Sequence, residues 1–167
     1  LINWVGAYSL YKKEVLRFII VSGQTLLGPI LTSILFLIVI SLAIGEERSD
    51  VLGVPYIEFL ANGLIMMQVI QQSFSHSSSS LMMSKMMGTI VDIVSSPLSA
   101  AEVTISLVLA SITRGLCIAS ISTIIFIIFL DLSIQNYFLW FLYVFLSGFF
   151  LGSAGIIAGL YADKFDQ

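Results

Sequence analysis

The chain has 167 residues, of which 58% are hydrophobic and only 10% are charged, and its mean hydropathy is +1.05. Soluble domains carry roughly 25% charged residues, so this composition excludes a soluble globular fold and predicts a polytopic membrane protein. The net charge of −3 indicates little, because the placement of lysine and arginine matters more than their sum in membrane proteins. We expect Cys117 to pack as a small apolar residue. Because the chain begins at Leu1 and stops at Gln167 in a polar stretch, we also expect a piece of a longer protein.

The first predicted element is a helix over residues 4–18. Its bulky residues recur every three or four positions and share one helical face: Trp4, Tyr8, Tyr11, Val15 and Phe18. The charged residues of the segment lie mostly away from that face: Lys12, Lys13, Glu14 and Arg17. An aromatic stripe beside basic residues is typical of an amphipathic helix in the membrane interface. A cytosolic extension of the first span is the alternative.

The apolar runs of the chain predict transmembrane helices over residues 19–44, 56–75, 103–130 and 137–161. The first span contains Gly28 and Pro29, where we expect a kink. The short polar segments after the first and third spans are the predicted outer turns.

The second span is the least apolar of the four, and Asn62 is one of its polar residues. Gln68, Gln71 and Gln72 share one face of it by the three-and-four spacing rule. Amides in a bilayer either bond to other helices or line a polar path, and we favour helix packing because it is the commoner use. Serines surround His76 just beyond this span, and we interpret that region as its solvated inner end.

A polar interruption at residues 88–102 separates the second and third spans. Thr89 and Asp92 are predicted to cap a short helix over 89–96. Pro97 ends this helix, because the residue before a proline avoids the α region. The helix carries apolar side chains that are unfavourable in water unless a partner covers them: Ile90, Val91, Ile93 and Val94.

The third span begins at a predicted capping box formed by Ser99 and Glu102. Arg114 precedes Asp131 by 17 residues, or about 25 Å of helix, which is close to one hydrocarbon thickness. We therefore place Arg114 near the inner boundary, where it faces a partner or water. Snorkelling of this side chain to lipid phosphate is an equal alternative.

The fourth span carries a stripe of glycines on one helical face: Gly148, Gly152, Gly155 and Gly159. Such a stripe lets another helix approach closely, so we assign these residues to helix packing. Tyr137, Trp140 and Tyr143 near the start of the span are typical of an aromatic belt at the outer membrane surface.

Basic residues lie mainly on one predicted side of the membrane: Lys12, Lys13, Arg17, Lys85 and Lys164, against Arg48 on the other. By the positive-inside rule, the N-terminus, the interruption at 88–102 and the C-terminal end are cytosolic.

Several kinds of chemistry have no sequence signal here. There is no Gly-x-x-x-x-Gly-Lys-Ser/Thr motif, so we expect no nucleotide site and no cofactor. One histidine and one cysteine on different segments do not supply a zinc site. His76 has neither a nucleophile elbow nor a second base, so we expect no catalytic residue. Basic patches for nucleic acid are also missing.

Taken in order, these segments make the chain resemble the ABC-2 type permease family, the membrane subunits of bacterial ATP-driven exporters. The residues that carry the resemblance are 12–18, 63–67, Gly88, Thr89, Pro97, Leu98, Ser99, Glu102, Phe165 and Asp166. The resemblance implies an all-α membrane helical bundle in which four of six family spans are present. It also implies a bacterial inner membrane location, a second permease copy and a separate ATPase subunit.

By this resemblance, the helix over 89–96 is the coupling helix that docks into the ATPase. The residues assigned to coupling are Thr89, Ile90, Val91, Asp92, Ile93 and Val94. The favoured hypothesis is an exporter permease without an ATPase site of its own. The alternative is an ATP-independent membrane protein, either a secondary transporter or a scaffold. Paired intramembrane carboxylates or an inverted repeat would indicate that alternative, and neither is evident. The sequence does not distinguish glycans, lipids and drugs as cargo.

Overall fold

A computed structural model describes residues 3–20, 22–44, 51, 53–130, 132, 134 and 136–162. The described residues form α1 (Trp4–Ile20), α2 (Ser22–Ile44), α3 (Tyr56–Met86), α4 (Ile90–Val94), α5 (Ala100–Leu130) and α6 (Tyr137–Tyr161). The predicted all-α fold is therefore confirmed. Phe165, Asp166 and the basic residues Arg48 and Lys164 lie outside the described residues.

Helix boundaries follow local chemistry at several points. Gly88 follows α3 with a φ of 72°, a left-handed conformation that glycine adopts without steric cost. The side chain of Asn136 accepts hydrogen bonds from the amides of Phe138 at 3.0 Å and Leu139 at 3.2 Å, and so caps the start of α6. α2 continues through Pro29 as one helix.

The third helix differs from its prediction, because α3 runs to Met86 instead of ending near Ser75. The interpretation of the serine-rich region as a solvated end is wrong, since His76 is only 1% exposed and Ser77 and Ser80 are also buried. Serines fit inside a bundle because they are small and their hydroxyls bond to carbonyls of the preceding turn, as Ser84 does to Ser80 at 2.9 Å.

Two described helices, α5 and α6, are long and apolar enough to cross a membrane. At the α-helical rise they measure about 46 Å and about 37 Å, against about 30 Å for the hydrocarbon core. α2 contains a shorter apolar stretch, Leu27–Ala43. α3 is less apolar because serines and amides interrupt it.

The centre of the molecule is the bundle of α3, α5 and α6, with α1 packed along the first half of α5 and α2 contacting α3 more sparsely. The larger apolar core consists of Leu37, Ala61, Leu64, Ile65, Val69, Ala119, Phe126, Leu132 and Val144. α3 and α5 each contact α2 and α6 and contact one another, so this pair of helices forms the centre of the described part of the chain.

The glycine stripe of α6 lies against α3 and α5, and all four glycines are buried. A Cβ atom on Gly155 would lie 2.5 Å from the carbonyl oxygen of Phe74, and one on Gly159 would lie 2.9 Å from that of Ser78. On Gly148 it would lie 3.3 Å from the Cα of Ile112. The α6 backbone therefore approaches its neighbours too closely for any side chain at Gly155 or Gly159.

α1 buries a different face from the one that its aromatic pattern suggested. Its buried residues are Leu10, Glu14 and Phe18, while Trp4 and Tyr8 are exposed. The predicted aromatic stripe is thus split between two environments. Glu14, which we expected away from the stripe, shares the buried face with Phe18 because the two residues are four apart.

Candidate functional site

The short helix α4 lies between Gly88 and the Pro97 turn, as the sequence predicted, but it is shorter than residues 89–96. The predicted cap is wrong, because the Thr89 side chain makes no cap hydrogen bond. Its hydroxyl instead donates to the carbonyl of Ser84 at 3.4 Å, and only the Thr89 carbonyl accepts from the amide of Asp92, at 3.1 Å. The backbone turn after Gly88 therefore starts this helix without side-chain help.

No residue of α4 is buried. Val91 is 62% exposed and Val94 is 79% exposed, whereas Ile90 and Ile93 are half-buried. Met86 and Met87, at the end of α3, are exposed as well. We call the four exposed apolar residues Met86, Met87, Val91 and Val94 the α4 surface.

The start of α5 carries the predicted capping box. The backbone amide and the hydroxyl of Ser99 donate to Glu102 Oε2 at 2.6 and 2.9 Å, and the amide of Glu102 donates to Ser99 Oγ at 3.3 Å. The amide of Asn3 donates to Glu102 Oε1. Hydrogen bonds from the amides of Ser99 and Asn3 hold the pKa of Glu102 below its ordinary value, because they stabilise the carboxylate.

This carboxylate connects α1 to the turn that follows α4. A Cβ on Gly6 would lie 2.7 Å from Cδ2 of Leu98, so α1 passes the turn in close contact. The hydroxyl of Ser106 donates to the carbonyl of Ala7 at 2.9 Å and extends the contact along α5.

The opposite side of the same end of the bundle is connected through Lys85. Its ammonium group donates to the carbonyls of Leu160 and Ala162, at the C-terminus of α6, at 2.5 and 3.1 Å. A cation at this position also interacts favourably with the helix dipole. The residues on both sides of α4 are therefore bonded to other helices.

A second polar group lies inside the bundle, between α1, α3 and α5. Glu14 is 1% exposed and accepts a hydrogen bond from the hydroxyl of Ser80 at 2.7 Å. Arg17 lies 3.5 Å from the same carboxylate and donates to Ser80 at 3.2 Å. His76 Nε2 faces Glu14 at 4.0 Å. We call Glu14, Arg17, Gln72, His76, Ser80 and Arg114 the inner cluster. The sequence predicted a polar role inside the bundle for Gln72 and Arg114 alone among them. Glu14 could have been found by its spacing of four from Leu10 and Phe18.

Arg114 is directed inward and not toward lipid. It is 9% exposed, donates to Nδ1 of His76 at 3.3 Å and to the side-chain oxygen of Gln72, and lies 5.8 Å from the ring centroid of Phe18. The snorkelling alternative is therefore wrong in this conformation. Since arginine only donates, His76 Nδ1 accepts, and the ring proton lies on Nε2.

The three glutamines of α3 do not act as one group. Gln68 is buried and joins three helices, donating to the carbonyl of Pro29 at 3.1 Å and to Ser33 while accepting from Ser122 at 2.9 Å. Gln72 reaches Arg114, and Gln71 is exposed. Ser33 and Ser122 were not recognised from the sequence, because isolated serines carry no signal of their partners.

A cavity of about 320 Å³ lies between α2 and α3. It is lined by Pro29, Thr32, Ser33, Phe36, Leu64, Met67, Gln68, Gln71 and Gln72. Amides and hydroxyls thus share its wall with apolar side chains, an arrangement that suits a ligand with a polar and an apolar part.

No group of histidine, cysteine, aspartate and glutamate among the described residues has the arrangement of a metal site.

Residues 6–167 match the family described as ABC-2 type transporter. The inner membrane transport permease YadH of Escherichia coli strain K12 is 29% identical over 164 residues, which cover 98% of this chain and 64% of that protein. The protein of the same name from Shigella flexneri matches with the same identity and coverage. The chain therefore spans less than two thirds of the length of these curated relatives. No solved structure matches it significantly.

Proposed function

The chain belongs to the ABC-2 type transporter family, and on this premise we propose that it is a permease subunit of an ATP-driven exporter whose separate ATPase subunit docks on α4. The relatives named above are called inner membrane transport permeases. We accordingly propose a bacterial inner membrane location, with the N-terminus, α4 and the C-terminal end in the cytosol. A second copy of the permease completes the pathway.

The observation that carries this proposal is the exposure of the α4 surface. Val91 and Val94 lie uncovered on a helix bordered by polar turns, at the end of the bundle that the basic residues assign to the cytosol. Apolar groups at that position are favourable only when a partner removes them from water. A groove on an ATPase subunit supplies such a partner, because short apolar helices bind in grooves.

The contacts on either side of α4 support its use in coupling. Glu102 bonds α1 and the Pro97 turn to the start of α5, and Lys85 bonds the end of α3 to α6. A displacement of α4 therefore reaches three long helices through direct hydrogen bonds. Movement of the ATPase would therefore shift the helices of the bundle through these hydrogen bonds alone.

The test is co-purification of the full-length permease with its ATPase after the double substitution Val91→Asp and Val94→Asp. Two unpaired carboxylates are costly to bury in an apolar contact, so we expect a loss of bound ATPase of about tenfold or more. Ile90 and Ile93 are unsuitable positions, because they are half-buried and a charge there would also disturb the fold.

A control is Ala101→Asp, which adds one carboxylate in the exposed first turn of α5 and is compared with each single substitution, Val91→Asp and Val94→Asp. An acidic residue is favourable at a helix N-terminus, so this variant should retain the ATPase. Wild-type amounts of ATPase on the double variant, with transport intact, would refute docking on α4.

A secondary transporter, one form of the ATP-independent alternative, commonly uses an intramembrane carboxylate that is free to carry protons or ions. Glu14 is the buried candidate in the inner cluster, but it is engaged by Ser80 and Arg17. Transport by the reconstituted permease in the absence of both ATP and an ATPase would favour this alternative over our proposal.

A further inference from the structure

The charge balance inside the bundle is incomplete. Two guanidinium groups, those of Arg17 and Arg114, lie near one carboxylate, that of Glu14, and Arg17 pairs with it. Arg114 contacts His76, Gln72 and the ring of Phe18, none of which carries a compensating negative charge in this hydrogen-bonding arrangement. Among the described residues, no carboxylate oxygen lies within 4.0 Å of the Arg114 guanidinium.

The guanidinium of Arg114 also retains unused binding capacity. Its Nε atom is buried and has no hydrogen-bond partner among the described residues. A cation buried in an apolar helix is costly unless an anion or a set of hydrogen bonds compensates it. Because the local side chains compensate it only in part, the position favours binding of an anion from outside the chain.

The cavity between α2 and α3 gives such an anion a route to Arg114. Gln72 lines this cavity and its side-chain oxygen accepts a hydrogen bond from Arg114 Nη2. Gln72 therefore lies between the cavity and the guanidinium, and a rotation of the Gln72 side chain would free Nη2 of Arg114 for a ligand that enters from the cavity. A phosphate or carboxylate oxygen would then replace a neutral amide oxygen, and the charge-assisted hydrogen bond is the stronger of the two.

The rest of the cavity selects for a molecule with an apolar part. The apolar part of the cavity wall consists of Phe36, Leu64 and Met67, which lie beside the amides of Gln68 and Gln71. A volume of about 320 Å³ accommodates a head group with a few methylenes and not a large folded ligand.

We propose that the cavity between α2 and α3 binds the acidic head group of an amphiphile, a phosphate or carboxylate, with Arg114 as the charged contact. This inference rests on the proposed transport function and narrows its substrate class. The cargo is anionic at its head and apolar beyond it.

The experiment measures binding to the full-length permease in nanodiscs of phosphatidylcholine, without ATP. The probes are lysophosphatidic acid, the monoacylglycerol with the same acyl chain, and inorganic phosphate alone. A hydrogen bond to a charged group contributes more than one to a neutral group, so we expect lysophosphatidic acid to bind about tenfold more tightly than the monoacylglycerol.

Variants assign the preference to one residue. Arg114→Gln should remove it, while Arg114→Lys keeps the charge and should retain most of it. Lys12→Gln is the control for general attraction to the membrane surface, because Lys12 is an exposed cation on α1. This variant should bind both lipids within about twofold of the wild type, since exposed charges interact weakly.

Equal binding of the two lipids by the wild type would overturn the proposal, and so would a preference that survives in Arg114→Gln. If inorganic phosphate displaces lysophosphatidic acid at a comparable concentration, the site binds a free anion, and the proposal that its ligand is an amphiphile is overturned. If Arg114→Gln does not fold, the wild-type comparison and Arg114→Lys still decide. The assay needs no ATPase, so its outcome is independent of docking on α4.

Discussion

The two sides of α3 are packed in opposite ways. On one side, α6 approaches so closely that the carbonyls of Phe74 and Ser78 occupy the space a side chain would need at Gly155 and Gly159. On the other side, α2 touches α3 sparsely, through apolar contacts and the hydrogen bonds of Gln68, and leaves a cavity of about 320 Å³. One helix therefore has both a close-packed and a loosely packed partner.

This difference in packing indicates that the α3–α6 contact is permanent and that the α2–α3 contact is exchangeable. Close contact between backbones depends on dispersion over many atoms and is lost as a whole when the helices separate. A contact made by a few amide hydrogen bonds can exchange its partners for a ligand. We therefore expect α3 and α6 to move as one body. The contact between α2 and α3 is where we expect hydrogen-bond partners to be exchanged for a ligand.

The largest effect should come from Gly155→Ala. The added methyl would lie 2.5 Å from the carbonyl oxygen of Phe74, and a backbone atom cannot yield without separating the helices. We expect a loss of about 1–3 kcal/mol in the free energy of unfolding, measured by denaturant titration in micelles.

Gly63→Ala is the matched control at an exposed position of α3. No atom lies within 4 Å of a Cβ at Gly63, so alanine should be neutral or stabilise α3 by up to about 1 kcal/mol through helix propensity. Equal stabilities of the two alanine variants would show that the α3–α6 contact is not limiting.

A smaller effect is expected for Gln68→Leu, which removes hydrogen bonds to α2 and α5 together. Interhelical hydrogen bonds in membranes contribute about 0.6 to 2 kcal/mol, so the same titration should show a loss in that range. Gln71→Leu, at an exposed position beside the cavity, should change stability less. A Gln68→Leu loss larger than that of Gly155→Ala would reverse the comparison.

The smallest expected change in stability concerns Glu102. Like Gln68, it makes hydrogen bonds to other segments, but its carboxylate can be protonated. The pKa of Glu102 lies below its ordinary value of 4.5, so its contribution to stability is present above that value. It is lost as pH falls through the lowered pKa, where the carboxylate is protonated. Wild-type unfolding free energy should therefore decrease more between pH 5 and pH 3 than that of Glu102→Gln; parallel curves would contradict the assignment.

Local signals in the sequence predicted the helices and some of their ends. Glycine, proline and the Ser99–Glu102 capping box determine the backbone within a few residues of themselves. The interruption between α3 and α5 could therefore be predicted from the sequence. The family resemblance rested on these signals together with residues 12–18, 63–67, Phe165 and Asp166. The Thr89 cap failed because the backbone turn after Gly88 made a side-chain cap unnecessary.

Signals that depend on distant partners were misread. His76 and its neighbouring serines have the composition of a solvated loop, and only the packing of α3 against α5 and α6, with Glu14 and Arg17 of α1 beside Ser80, makes them interior. Glu14 was misread in the same way, because a charged residue is normally expected at the surface. It is buried here, where Ser80 and Arg17 bond to its carboxylate.

The sequence by itself determined that this chain is a helical membrane protein, where its helices are interrupted, and which face of α6 is bare, because composition, caps and periodicity are properties of neighbouring residues. Tertiary structure alone decided which polar groups meet inside the bundle and which residues of α4 stay uncovered. In helices that are apolar on almost every side, hydrophobicity does not distinguish the faces, so packing against other helices sets the buried face.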